Sequence, residues 1–225
     1  MMSHKVIAVD GPAGSGKSTT ARQVAEKLGF IYLDTGAMYR SVTLLALREG
    51  ISPSDAEALQ QLAEESVIEF RLEGGEQRTI VNGEDVSENI RSPEVTTAVS
   101  EVSAHSGVRK VMVERQQQYA TKFDLVAEGR DTTSVVFQHA FLKVYLVADV
   151  VERAKRRVRD FARLGRKTSI EEQVKDIERR DEYDSSRNVS PLTMTTDSLL
   201  VDTTDLTVDQ QVDRIIELFR EKLES

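Results

Sequence analysis

The chain has 225 residues and a formal net charge of −8, long enough for one α/β domain with an inserted subdomain. The acidic balance argues against a general affinity for nucleic-acid backbones, and the absence of cysteine excludes disulfides and cysteine-ligated metals. The apolar start is too short for a signal peptide and no run could span a membrane, so the sequence predicts a cytoplasmic protein with small-molecule partners.

A β-branched run, Val6–Asp10, stops at Gly11-Pro12-Ala13-Gly14-Ser15-Gly16-Lys17-Ser18-Thr19. Gly11 followed after four residues by Gly16-Lys17-Ser18 is a complete P-loop pattern. Glycines let the backbone curl until several N–H groups converge on phosphate oxygens, and the helix that begins near Lys17 adds its positive end. Lys17 offers a mobile cation to the β- and γ-phosphates, and the Ser18 hydroxyl can ligate Mg²⁺. Ala21, Val24, Ala25 and Leu28 recur at helical spacing and Gly29 stops the helix. An ordinary strand-to-helix turn is disfavoured because the full pattern sits between a strand and a helix. The expected ligand is ATP with Mg²⁺.

Phe30-Ile31-Tyr32-Leu33 reads as a second strand ending at Asp34-Thr35-Gly36, before a helix over residues 37–49. Ser54 or Asp55 caps the next helix. The texture then changes: an alternating segment over residues 67–72, a turn at Gly74-Gly75, a strand over 78–81 and the hairpin signal Asn82-Gly83 predict a small antiparallel sheet. Helices over about 92–104 and 107–119 follow, so residues 66–106 read as an inserted lobe. The main sheet resumes with residues 125–128 and 142–147, then a basic helix from Val150 to about Leu164, a helix over 169–186, a last strand over 199–202 and a helix over 208–222. Strands separated by helices predict a parallel sheet covered on both faces. Ligands of such sheets collect at the carboxyl ends of strands, where the P-loop, Asp34-Thr35-Gly36 and Gly129-Arg130-Asp131 all fall.

The chain has neither an Asn-Lys-x-Asp string nor a strand followed by Asp-x-x-Gly, which argues against a GTPase. Arg40, Arg109, Arg130, Arg180 and Arg187 lie near strand ends instead. Singly each reads as a solvated surface residue; as a set in an acidic chain they invite a bound anion. Arg180 and Asp184, four apart on one helix, can face a ligand together or form a surface ion pair. Asp34 can hold Mg²⁺ through water, orient Arg40 or cap the following helix. Arg153 and Arg157 share a face of the basic helix, whereas Arg159 and Arg163 read as solvated. His4, His105 and His139 show no metal spacing and read as surface residues, and Tyr32 and Tyr39 as packing residues.

With Asp34-Thr35-Gly36-Ala37-Met38-Tyr39-Arg40, Gly83-Glu84-Asp85-Val86, Ile90-Arg91, Gly129-Arg130-Asp131 and Arg179-Arg180-Asp181 added to the P-loop, the chain closely resembles the bacterial cytidylate kinases from the P-loop to the final helix. The resemblance implies a P-loop-type α/β fold with a five-stranded parallel sheet in order 2-3-1-4-5. It also implies a core of residues 1–65 and 107–225, a lid over about 153–168, and a nucleoside-monophosphate lobe over 66–106. The implied activity is transfer of the ATP γ-phosphoryl group to CMP or dCMP by a monomer. Thr35, Arg40, Arg130 and Arg187 would hold the acceptor phosphate, Ser100, Arg109 and Asp131 would read cytosine, and Arg180 and Asp184 would meet the sugar. Lys17, Arg153 and Arg157 would stabilise the transferring group. The chain departs from the family after Asp131, where Thr132-Thr133-Ser134 stands in place of a small or apolar residue, glycine and threonine. That change leaves open a kinase of another nucleoside monophosphate or small anion; a non-catalytic nucleotide-binding regulator is the alternative from another class.

Overall fold

A computed structural model describes residues 4–74, 76–163 and 165–224. Gly75 of the expected glycine turn and Leu164 at the expected end of the basic helix lie outside the described residues. In chain order the first half comprises β1 (Val6–Asp10), α1 (Lys17–Leu28), β2 (Ile31–Asp34), α2 (Thr35–Glu49), α3 (Ala56–Glu65), β3 (Ile68–Glu73), β4 (Glu76–Val81), β5 (Glu84–Asp85), a 3₁₀ turn at Asn89–Arg91, α4 (Pro93–Val102) and α5 (Ser106–Ala120). The second half comprises β6 (Leu125–Gly129), a π-helical turn at Thr132–Val136, β7 (Leu142–Val147), α6 (Val150–Arg163), α7 (Ile170–Ser186), β8 (Leu199–Asp202) and α8 (Val208–Glu224).

The chain divides into two compact units, one of Met1–Leu33 with Gln117–Ser225 and one of Asp34–Gln116. The first is built on a five-stranded sheet in the order β2-β6-β1-β7-β8. Counted along the chain within that sheet, the order is 2-3-1-4-5. β1 runs parallel to β6 and β7, and β7 parallel to β8. Every residue of β1 and β6 is buried, as expected of strands whose two faces are covered by crossover helices. One core cluster joins Ile7, Val9, Val24, Val144, Val212 and Ile215. Phe219 of α8 closes it with edge-on contacts to Phe30 and Phe141, ring centroids 5.6 and 5.4 Å apart.

The second unit holds the three-stranded antiparallel sheet β3-β4-β5 and helices α2 to α4. Asn82 and Gly83 turn the β4–β5 hairpin with φ of 50° and 87°, the left-handed pair that a two-residue hairpin requires. This unit is wider than the lobe expected over residues 66–106, because α2 packs on α4 and on the 3₁₀ turn and α3 packs on α2. Helix α2 starts at Thr35 rather than Ala37, since the Asp34 carboxylate accepts from the Ala37 N–H at 2.9 Å and caps it. His105 is half-buried rather than a free surface residue: its Nε2 lies 2.7 Å from the Pro53 carbonyl.

Ile215 is fully buried on α8, whereas Leu223 at the end of that helix is half-exposed. Ile215→Ala is expected to lower the unfolding free energy by about 2–5 kcal/mol, and Leu223→Ala to change it by about 0.5 kcal/mol or less. Urea denaturation of the two variants checks the contrast.

Candidate active site

The chain leaves β1 through the glycine loop, and packing shows why glycine is required. A Cβ on Gly11, at φ 150°, would lie 2.1 Å from the Leu146 carbonyl oxygen, so only glycine lets the loop pass over β7. Gly16 caps α1 in the left-handed conformation. Ser15 is fully buried and its hydroxyl has no partner among the described residues; Thr19 is exposed at the first turn of α1. Glycine-lined backbone, a helix N-terminus and a lysine fit a polyphosphate.

Lys17 is only 5 % exposed and donates to the Pro12 carbonyl at 2.8 Å. Burial, aided by Arg130 and Arg180 and resisted by Glu128 and Asp10, lowers its pKa to about 7. The Ser18 hydroxyl donates to Glu128 Oε1 at 2.7 Å, and the Tyr32 hydroxyl reaches the same oxygen at 3.3 Å. Glu128 carries no recognised motif, but an acid at the carboxyl end of the strand beside β1 was a signal available in the sequence. Ser18 and Glu128 together supply hard oxygen donors of the kind Mg²⁺ takes.

Two α6 arginines reach the loop. Arg153 is buried; it donates to the Ala13 and Ala148 carbonyls at 3.0 Å and pairs with Asp181. Asp181 also accepts from the Ala13 N–H at 3.0 Å. Arg156, not singled out by face, donates to Thr203 Oγ1 at 3.1 Å and approaches the Ser15 carbonyl at 3.4 Å. Arg157 lies over the Phe161 ring at 5.8 Å, and burial lowers its pKa. Arg159 is exposed and pairs with Glu152 at 3.0 Å; Arg163 pairs with Asp160 at 3.7 Å. Both are solvated, as expected.

Asp184 draws three arginines together. Arg130 Nε donates to it at 2.8 Å, with Arg187 at 3.9 Å and Arg180 at 4.0 Å. Arg187 also donates to the Ser190 carbonyl at 2.7 Å. Asp184 is buried, so its pair with Arg180 is not a surface ion pair. Burial pushes its pKa up, but the arginines outweigh that and hold it below 3.8. Asp131 is buried and its carbonyl accepts from Val135 and Val136 at 2.9 and 3.1 Å. Beyond it the loop winds into the π-helical turn rather than an open bend, because Thr132 and Thr133 bond the Asp10 carboxylate.

In the second unit, Thr35 is buried at the start of α2. Arg40 donates to Thr96 Oγ1 at 3.1 Å and to the Ile90 carbonyl at 3.3 Å. Arg109, 3 % exposed, donates to the Ser103 carbonyl at 2.9 Å and lies over the Tyr39 ring at 5.2 Å. The Ser103 hydroxyl donates to the Ser100 carbonyl at 3.1 Å, so Ser100 and Arg109 are neighbours through Ser103. Tyr39 is thus a packing residue beneath Arg109. Arg91 comes within 3.8 Å of the capping Asp34.

No helix among the described residues is long and apolar enough to cross a membrane.

Asp184→Asn leaves three guanidinium groups around a neutral amide, an expected loss of about 1–3 kcal/mol near neutral pH. Because the folded pKa lies below 3.8, this contribution is present above the unfolded value and disappears as pH falls through the folded one. Wild type and variant should therefore differ in urea denaturation at neutral pH, and the difference should shrink as pH falls through the lowered Asp184 pKa.

Comparison with known proteins identifies the family of the chain. The family model described as cytidylate kinase matches residues 7–221. The chain is similar to the cytidylate kinase of Desulforamulus reducens, 47% identical over 96% of this chain and 97% of that protein. It is 46% identical to the cytidylate kinase of Lactobacillus gasseri over 96% of this chain and 94% of that protein. Among solved structures, a shikimate kinase from Bacteroides thetaiotaomicron shares the fold, with a TM-score of 0.50 at 13% identity over 96% of this chain and 98% of that one. The chain belongs to the cytidylate kinase family.

Proposed function

We propose that the chain is an ATP-dependent kinase of CMP and dCMP, moving the γ-phosphoryl group of ATP to the acceptor phosphate and giving ADP with CDP or dCDP. The observation that carries this reading is the family relationship over residues 7–221, which includes the buried Lys17 and the Arg130–Asp184 cluster.

The backbone of residues 11–19 and Lys17 receive the triphosphate. Ser18 and Glu128 would hold Mg²⁺, which would supply positive charge against the triphosphate. Arg130, Arg187, Thr35 and Arg40 hold the acceptor phosphate, and Arg180 with Asp184 meets the sugar. Asp34 serves by capping α2 and so keeping Thr35 and Arg40 in position. Arg153 and Arg157 stabilise charge on the phosphoryl group in flight, with residues 153–168 as the lid that excludes water. The acceptor oxygen attacks in line, so no covalent enzyme intermediate is needed. Asp131 accepts from the cytosine N4 amino group, while Ser100 and Arg109 donate to N3 and O2. Uracil reverses the first two of these partners, a penalty of about 1–3 kcal/mol for each group left unpaired. We take the protein to act in the cytoplasm as a monomer, as the family resemblance implies.

The test is ADP production from Mg-ATP with CMP, dCMP, UMP, dTMP, AMP and GMP offered separately. Rapid turnover confined to CMP and dCMP is expected; equal turnover of UMP would remove the base-reading roles, and no turnover of CMP would remove the function.

Lys17 adds a pH signature. With a pKa of about 7 in the free protein, it is charged in mild acid and neutral in mild base, whereas a bound triphosphate favours the charged form. ATP binding is therefore expected to take up close to one proton at about pH 8 and almost none at about pH 6. Affinity should fall roughly tenfold per pH unit above pH 7 until the bound-state pKa is reached. Calorimetry in buffers of different ionisation enthalpy measures the uptake, and Lys17→Met should abolish it.

A further inference from the structure

Asp10 ends β1, one residue before the glycine loop, and its side chain is 0 % exposed. No step of the proposed chemistry uses it. Its two oxygens are nevertheless fully engaged. Oδ1 accepts from the Thr132 N–H at 2.9 Å and the Thr132 hydroxyl at 2.7 Å. Oδ2 accepts from the Thr133 N–H at 2.8 Å and the Thr133 hydroxyl at 2.7 Å. Four donors fill the lone-pair sites of one carboxylate, and both threonines are themselves fully buried.

The placement of these bonds matters more than their number. Asp10 pairs in register with Gly129 at the carboxyl end of β6. Arg130 and Asp131 occupy the only two positions between Gly129 and the clamped Thr132. They are thus fixed from both sides: by the sheet before them and by the Asp10 carboxylate after them. The same strand end carries Gly11 on its other side. One buried carboxylate joins the loop that grips the donor nucleotide to the loop that carries Arg130 and Asp131.

We infer that Asp10, acting through Thr132 and Thr133, is a positioning residue that sets Arg130 and Asp131 for the acceptor and thereby contributes to the choice of base. The inference rests on the proposed CMP kinase reading for its second half and on geometry alone for its first. A valine at either threonine keeps the shape and removes one hydroxyl donor. Serine keeps the donor and removes a methyl group.

The experiment compares wild type with Thr132→Val, Thr133→Val, Thr133→Ser and Asp10→Asn in steady-state kinetics with CMP and UMP. Amide hydrogen exchange across residues 130–137 is measured alongside, and urea denaturation checks that each variant is folded. The valine variants are expected to raise KM for CMP about tenfold, lower the CMP-over-UMP ratio of kcat/KM about tenfold, and leave KM for ATP within about twofold. Thr133→Ser should restore most of the ratio, which a mere packing role for the methyl group would not do. Protection of the Thr132 and Thr133 amides should be high in wild type and fall in Asp10→Asn.

Folded valine variants with unchanged KM for CMP and an unchanged base ratio would overturn the inference. Should the valine variants fail to fold, fast exchange of both amides in wild type would overturn it equally. A wild-type chain that turns over no CMP would overturn the proposed function and the base-choosing half, while the exchange measurement would still decide whether Asp10 holds the loop.

Discussion

Lys17 carries a cationic head into a place from which water is nearly excluded, and much of the first compact unit is arranged around that cost. A buried ammonium is expensive unless neighbouring charge or a ligand offsets it. Here the compensation is deliberately incomplete. Glu128 and Asp10 favour the charged form, while Arg130 and Arg180 oppose it, and burial outweighs the balance. Full neutralisation would leave the lysine indifferent to phosphate. A lysine with unspent electrostatic demand, held at the Pro12 carbonyl beside the glycine loop, gains most when a triphosphate arrives.

The carboxylates around it divide the remaining work by position. Glu128 takes the Ser18 hydroxyl, Asp181 holds the Ala13 amide and Arg153, and Asp184 gathers Arg130, Arg180 and Arg187. Each acid restrains groups that a phosphate would otherwise have to order for itself. Guanidinium groups held beforehand lose less entropy on meeting an anion. An acidic chain with a preorganised basic cluster is therefore consistent physics: the local field of the cluster favours a small anion despite the net negative charge.

Much of this was legible in sequence, for identifiable reasons. The P-loop is a local pattern whose geometry depends on its own glycines, and the β1–α1 junction followed directly from it. Asn82-Gly83 is equally self-contained, since its turn needs left-handed backbone at both positions. The arginine set was visible as residue types near strand ends, but its hub was not: Asp184 lies 54 residues from Arg130, and no spacing rule spans that distance. Asp181 and Arg156 stay hidden in the sequence for the same reason. Their roles come from which strand or helix is adjacent in space, and only the folded sheet order supplies that. Helix α2 begins at Thr35, two residues before the start that the sequence predicts, because the Asp34 carboxylate caps it through the Ala37 N–H.

The loop after Asp131 shows how a local departure can be absorbed without loss of order. A glycine at such a position would relax the backbone and leave the loop's course to be set by its surroundings. Two threonines instead supply their own restraint, because each brings an amide and a hydroxyl to the same carboxylate oxygen. The resulting π-helical turn at Thr132–Val136 is a form that occurs mostly in single turns, frequently at functional sites. Its backbone is held by bonds from Val135 and Val136 to the Asp131 carbonyl, so the residue proposed to read the base also anchors the turn that follows it. Conformational freedom lost in the sequence is thus replaced by hydrogen bonds, and their acceptor is the last residue of the strand that leads into the nucleotide loop.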